Sequence, residues 1–220
     1  MQLPSPLPSQ LASRRQFIAQ IACVAATALP LTAAEPSWDS LFDGKNLGNW
    51  KRTDFGGGSD PSVEDGVLLI ERGEELAGVT YKGKPPTMNY ELELEAQRRA
   101  GLDFFCGLTF PVNERHLTLV IGGWGGSTVG ISSIDREDAS QNETTLTRHF
   151  KDNQWYKVRL KVEPTRIQAW IDAEQIANVE TKGKDLDLRP GEIDLSIPLG
   201  IATFRTTAAF RNIRLRKLQP

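Results

Sequence analysis

The side chains with the clearest chemical potential lie between Asn113 and His149, a segment that contains both histidines of the chain. His116 follows Arg115 where a strand is expected to begin. An imidazole with an ordinary pKa of about 6.5 suits proton transfer at neutral pH. A lone histidine on a strand is also typical of a purely structural role. We treat His116 as a candidate acid or base and Arg115 as a candidate contact to a substrate.

A polar cluster follows at residues 135–144. Its carboxylates and one amide are hard oxygen donors of the kind that Ca²⁺ takes, and the carboxylates also suit acid or base chemistry on a sugar. A solvated surface loop explains the same residues, and the spacing is not that of an EF-hand. No cofactor motif is evident, so calcium or another divalent ion is the one cofactor suggested. The cluster supplies candidate catalytic residues, Asp135 and Glu143, and candidate binding residues, Asp138 and Asn142.

Asp103 lies within the apolar run Leu102 to Phe110, which predicts a strand. A carboxylate buried in such a strand must find a partner or shift its pKa upward. If Asp103 points into a cleft, it is a candidate general base; at a strand end it is simply solvated. Cys106 in the same run is expected to be an inert core thiol.

Trp124 stands between two pairs of glycines, Gly122-Gly123 and Gly125-Gly126. The glycines let the backbone turn freely, so the indole is free to face solvent as a flat platform on which a sugar ring stacks. The alternative is a tryptophan that folds back to anchor its own loop. The sequence leaves these two interpretations open.

Several familiar signatures are missing from the sequence. It contains no phosphate-binding glycine loop with a following Lys and Ser or Thr, no dinucleotide-binding fingerprint and no serine nucleophile elbow. Two histidines at positions 116 and 149 cannot form a His-x-x-x-His zinc helix. The common nucleotide-binding and hydrolase motifs are therefore excluded.

The elements that must position these side chains are strands. Residues 90–98 alternate strictly, with Tyr90, Leu92 and Leu94 on one face and glutamates on the other, which predicts a strand with one buried face. Residues 155–163 repeat this alternation, and so do residues 167–171. Near-continuous apolar runs suit central strands covered on both sides, and short strands at regular spacing favour a sandwich.

Composition and charge narrow the class of protein further. The chain has 220 residues, 39% of them hydrophobic and 25% charged, with a formal net charge of −2. That balance argues against a nucleic-acid partner, and no apolar run reaches the roughly 18 residues of a membrane span. A single all-β domain of two packed antiparallel sheets is the expected architecture.

The first 34 residues predict an export signal. Ser13-Arg14-Arg15-Gln16-Phe17-Ile18 has the twin-arginine pattern, an apolar stretch follows, and Thr32-Ala33-Ala34 offers a cleavage site. We expect a signal peptide over residues 1–34, one domain over residues 35–220, and a location in the periplasm or outside a bacterial cell.

The passage Trp38 to Trp50, with its Leu-Phe-Asp-Gly-Lys core, resembles the opening of the 3-keto-disaccharide hydrolase domain family. Further segments fit that family in order, over about residues 38 to 218: Val63 to Leu68, Asn89 to Glu95, Gln154 to Val158 and Ile167 to Asp172. The resemblance implies a concanavalin-like jelly-roll sandwich whose concave sheet holds a saccharide or glycoside. It also implies activity on glycosides oxidised at C3.

The sequence departs from that family in the central strand, which commonly reads Asn-Ser-Gly followed by an arginine. Here the stretch is Phe105-Cys106-Gly107, with Pro111 near the arginine position, so Gly107 alone carries over. Three hypotheses follow: an enzyme that cleaves 3-keto-glycosides, a non-catalytic carbohydrate-binding module, and a structural domain of the cell envelope.

Overall fold

The computed structural model describes residues 1–2 and 37–219, and strands dominate residues 37–219. The predicted export signal and the boundary between residues 34 and 35 lie outside the described residues and stay predictions. All paired strands run antiparallel, in two sheets. None of the helices among the described residues has the length and apolarity to cross a membrane.

One sheet has eight strands, in the order β13-β12-β11-β6-β15-β4-β3 with β1 paired to β15. Its strands are β1 (Asp39–Ser40), β3 (Ser62–Glu64), β4 (Val67–Ile70), β6 (Tyr90–Gly101), β11 (Trp155–Glu163), β12 (Arg166–Ile171), β13 (Glu174–Glu180) and β15 (Thr206–Lys217).

The other sheet has seven strands, in the order β10-β9-β8-β7-β14-β5-β2. Its strands are β2 (Trp50–Arg52), β5 (Leu76–Tyr81), β7 (Cys106–Val112), β8 (Arg115–Gly122), β9 (Thr128–Ser132), β10 (Leu146–Thr147) and β14 (Gly200–Phe204). A short helical turn, Gly123–Gly126, follows β8, and a 3-10 helix, Glu192–Ser196, precedes β14.

The core lies between the two sheets and is filled by the inward residues of both. Phe105, Phe150 and Tyr156 meet edge to face, with ring centroids 5.0 Å apart for the first pair and 5.1 Å for the second. The Tyr90 hydroxyl donates to the Pro111 carbonyl at 2.8 Å, which ties β6 to β7 across the core. Cys106 is buried there, and burial raises the pKa of its thiol to about 12.

Strand β6 alternates as predicted, but both of its faces are buried rather than one. Tyr90, Leu92 and Leu94 pack into the core, and Glu91 and Glu93 on the opposite face are also buried. Cations on the two neighbouring strands cover these carboxylates, because Arg214 on one side and Lys157 on the other form ion pairs with Glu93. The pattern of a single strand does not reveal such cover from its neighbours.

Asp103 lies just ahead of β7 rather than inside a strand. The Thr206 hydroxyl accepts from the Asp103 amide and donates to the Asp103 carbonyl, both at 3.2 Å. These two bonds take the place of a strand pairing. The predicted apolar run therefore becomes a strand only from Cys106 onward.

Candidate functional site

The outer face of the seven-stranded sheet carries a cleft of about 560 Å³. Its floor includes Thr118 and Val120 of β8 and Ser132 of β9, which pairs with Thr118 across the two strands. Its walls include Leu76 and Phe204 at neighbouring ends of β5 and β14. The sheet thus contributes an uncharged floor, and every charged residue that lines the cleft lies on its walls or roof.

Trp124 forms one wall of the cleft from the turn that follows β8. Its backbone φ is 48°, an unusual value for a bulky side chain, and its exposed fraction is 42%. Gly122 before it has a φ of 79°, and a Cβ there would meet the Phe105 ring at 3.0 Å. The turn therefore presents the indole toward the cleft, as the platform interpretation requires.

Asp103 lines the same wall and is held in place by backbone amides. Its carboxylate accepts from the Phe104 amide at 2.7 Å and from the Gly125 amide at 3.2 Å. The second bond connects the carboxylate to the turn that carries Trp124. These amides are its only hydrogen-bond partners among the described residues, so the carboxylate stands in the cleft without a paired cation.

A roof covers the cleft, formed by residues 189–193 within the connection from β13 to β14. Ser133 and Asp187 exchange backbone hydrogen bonds of 2.8 and 3.2 Å, which fasten this connection to the end of β9. The Arg189 guanidinium lies 3.5 Å from the Asp138 carboxylate and 5.9 Å from the centre of the Trp124 ring.

Asp138, a predicted binding residue, supports this site from behind. It accepts from the Ser132 hydroxyl at 3.1 Å while it pairs with Arg189, and so connects floor to roof. Sequence reasoning missed Arg189, together with Glu75 and Glu192, which also line the cleft. The length of the connection between β13 and β14 was the available signal, since long loops in compact domains are often functional.

His116 and Arg115 lie at the opposite end of β8 from Trp124 and outside the lining of the cleft. Arg115 pairs with Asp187 at 3.2 Å. Burial lowers the pKa of His116, and the nearby Asp187 charge opposes that shift only in part. His116 shares the outer face with Thr118 but is not brought together with Asp103.

Asp135 and Glu143 lie on the surface, where Lys184 binds both carboxylates at 2.8 and 3.1 Å. The hydrogen bond from Lys184 and a second one from the Asp185 amide lower the pKa of Asp135. Among the described residues, Asn142 bonds only to its own loop and to β9, and its amide donates to the Ile131 carbonyl at 2.8 Å. None of these three residues lines the cleft.

In the part of the chain that the structure describes, no group of three or more His, Cys, Asp or Glu side chains is arranged to hold a metal ion. The residues of the predicted calcium loop instead pair with Lys184, Arg189 and backbone groups. Calcium at this loop remains a prediction.

Residues 37–216 match the family model described as the 3-keto-alpha-glucoside-1,2-lyase-like domain. No curated protein matches the sequence.

Solved structures share the fold at low sequence identity. A protein of unknown function with a galectin-like fold from Bacillus subtilis gives a TM-score of 0.55 at 11% identity, over 82% of this chain and 94% of that one. A proposed glycosyl hydrolase from Parabacteroides distasonis gives 0.53 at 12% identity, over 83% and 94%. The β-glucanase of Bacillus licheniformis gives 0.52 at 10% identity, over 86% and 100%. These similarities confirm the predicted concanavalin-like jelly-roll sandwich.

Proposed function

Because the chain belongs to the family of 3-keto-alpha-glucoside-1,2-lyase-like domains, we propose that it is a carbohydrate-active protein that cleaves C3-oxidised glycosides in this cleft. The observation that carries the proposal is the pairing of an exposed indole, Trp124, with the fixed carboxylate of Asp103 on one wall. A sugar ring stacked on the indole would lie beside a base that no cation neutralises.

The proposed reaction is an elimination followed by hydration. The C3 ketone acidifies the hydrogen on C2, and the Asp103 carboxylate removes it to form an enolate. The enolate electrons then form a C1–C2 double bond and expel the oxygen at C1, which leaves as an alcohol with the proton that Asp103 took from C2. Water adds across that double bond, so the net change is hydrolysis.

The enolate oxygen needs stabilisation by hydrogen-bond donors or a cation. Arg189 on the roof is the cationic side chain among the described residues that line the cleft, and we assign it this role. The two backbone amides that fix Asp103 remove the need to reorganise the base during the reaction.

The first experiment incubates the protein with a 3-keto-disaccharide, with and without a chelator, and follows the products by mass. We expect release of a keto-monosaccharide. Asp103→Asn should lower turnover by about 10² to 10⁴-fold, the usual contribution of a general base. His116→Ala is the matched comparison and should retain most of the turnover, since His116 does not line the cleft. Full turnover by Asp103→Asn would show that the base is another group.

A non-catalytic saccharide-binding module is the second candidate. The uncharged floor of Thr118, Val120 and Ser132 favours it, because those central positions offer no acid or base. Saturable glycan binding without product release would support this alternative over the enzyme.

A further inference from the structure

The outer face of the eight-stranded sheet, opposite to the cleft, carries three parallel rows of charged side chains. The glutamates of β6 form the middle row, and cations of β11 and β15 flank it on both sides. We call this surface the basic face, defined by Lys157, Arg159 and Lys161 of β11, Glu91, Glu93 and Glu95 of β6, and Arg211, Arg214 and Arg216 of β15.

Two of the three glutamates of the basic face, Glu91 and Glu93, lie beneath the cations. The side chains of Glu91 and Glu93 are only 5% and 8% exposed. Those of Lys157 and Arg214 are 50% and 41% exposed. Solvent therefore meets mainly ammonium and guanidinium groups, although the carboxylates are only a few ångströms below.

The cations also outnumber the carboxylates. Six cations face three glutamates in these rows, and the one further carboxylate at the end of β11, Glu163, pairs with Lys161 at 2.9 Å. The chain as a whole has a net charge of −2, so the positive surface is concentrated here against the overall balance.

Tryptophans hold the guanidinium groups of the basic face in place. Arg211 lies 4.1 Å from the centre of the Trp155 ring, and Arg159 lies 3.9 Å from that of Trp170. Arg214 lies 4.5 Å from the ring centre of Trp38, beside a groove of about 490 Å³. Three of the five tryptophans thus serve this one surface, and tryptophan and arginine are residues typical of interface centres.

We infer that the basic face binds an acidic polysaccharide, an extended chain that carries carboxylate or sulfate groups at intervals. Same-face residues of a strand stand roughly 6.7 Å apart, and the two cation rows are separated by two strand spacings, roughly 9.5 Å. Two rigid parallel rows match repeated charges along an extended polymer better than one isolated anion. This inference is independent of what the cleft does.

An anionic membrane and single-stranded nucleic acid would also be attracted to these cations, but each fits the basic face less well. Insertion into an anionic membrane requires exposed apolar tips, whereas Trp38, Trp155 and Trp170 are partly buried beneath guanidinium groups. Base stacking by single-stranded nucleic acid requires free aromatic faces. Both serve as competing ligands in the test.

The test titrates the full chain with polygalacturonate by calorimetry and repeats the titration with the same polymer after methyl esterification of its carboxylates. We expect binding of the acidic form alone. An increase in NaCl from about 0.05 to about 0.5 M should weaken that binding at least about tenfold, because salt screens exposed charges. Equal binding of both polymers, or no binding of either, would overturn the inference. Tighter binding of single-stranded DNA or of phosphatidylserine vesicles would overturn it as well.

The matched variants locate the binding surface. Lys157→Gln combined with Arg159→Gln removes two cations while Glu93 and Glu91 keep Arg214 and Arg216. This pair should weaken binding about tenfold, and Lys157→Gln alone about threefold, with thermal unfolding measured to verify the fold. Arg52→Gln removes an exposed cation from the other sheet and should leave the affinity unchanged. An unaffected affinity in folded Lys157→Gln and in the double variant would contradict the assignment.

Discussion

At the scale of single residues, the site depends on one unusual turn. Trp124 adopts a left-handed backbone conformation, and the amide of the next residue, Gly125, donates to Asp103. Such conformations cost about 1–3 kcal/mol and persist only where the surroundings impose them. The turn therefore sets the positions of the Trp124 indole and the Asp103 carboxylate together. A substitution of either residue is expected to affect the position of the other.

Trp124→Ala should weaken saccharide binding about fivefold, the equivalent of roughly 1 kcal/mol of lost stacking. The thermal stability of the Trp124→Ala variant should change little, because the indole is 42% exposed. Leu102→Ala is the matched control, since it removes an 80% exposed apolar side chain that does not line the cleft. Calorimetric titration with the 3-keto-disaccharide measures the affinity of both variants. Equal affinities in the two variants would eliminate Trp124 as a platform.

At the scale of elements, β6 shows how neighbouring strands change what a strand can carry. Its glutamates tolerate burial because each is bonded across the sheet, as with Glu93 to Arg214 and, at 3.0 Å, to Lys157. Burial alone would raise the pKa of Glu93, but the hydrogen bonds from the two cations outweigh it, and the net shift is downward. The ion pairs of Glu93 are therefore coupled to pH.

Glu93→Gln should destabilise the protein by about 2 kcal/mol at neutral pH, the value of a hydrogen bond to a charged group. The pKa of Glu93 is lower in the folded chain than its ordinary value of 4.5, so the unfolded state takes up this proton first as the pH falls. The stabilisation is present above pH 4.5 and is lost as the pH falls through the folded pKa.

Urea unfolding between about pH 3 and pH 7 measures this contribution. The free energy of unfolding should fall less steeply below pH 4.5 in Glu93→Gln than in the wild type. Glu114→Gln, at an exposed turn position, should keep the wild-type slope. Identical slopes in all three proteins would mean that Glu93 gains nothing from its partners in the folded state.

At the scale of the whole molecule, the outer faces of the two sheets carry different features. The seven-stranded sheet gives its outer face to the cleft and its roof, and the eight-stranded sheet gives its outer face to layered charge. The interior between them has no disulfide among the described residues, since Cys106 is free and buried. The stability of the two-sheet sandwich comes from packing and from the cross-strand ion pairs.

Cys106 consequently reports on global unfolding. Its thiol is fully buried with a pKa of about 12, so a thiol reagent should modify it only when the sheets separate. Peptide mapping by mass after timed labelling should give a rate for Cys106 that rises with urea in parallel with unfolding. Rapid labelling in native buffer would show that the interior opens locally instead.

The sequence by itself determined the strands with strict alternation, the sandwich class and the family. Residues 155–163 form β11 as predicted, because alternation is a local property that burial of one face enforces wherever the strand pairs. It also identified Asp103 and Trp124 as candidates, from residue type and from the apolar run and the glycine pairs that surround them.

Tertiary structure alone decided which candidates meet. Asp103 and Trp124 come together through a backbone amide, and Arg189 approaches the Trp124 ring from a distant connection. His116, by contrast, lies at the far end of β8. Asp135 and Glu143 form ion pairs with Lys184 on the surface. Such encounters depend on strand order and loop paths between segments far apart in the chain, which the chemistry of a single segment does not encode.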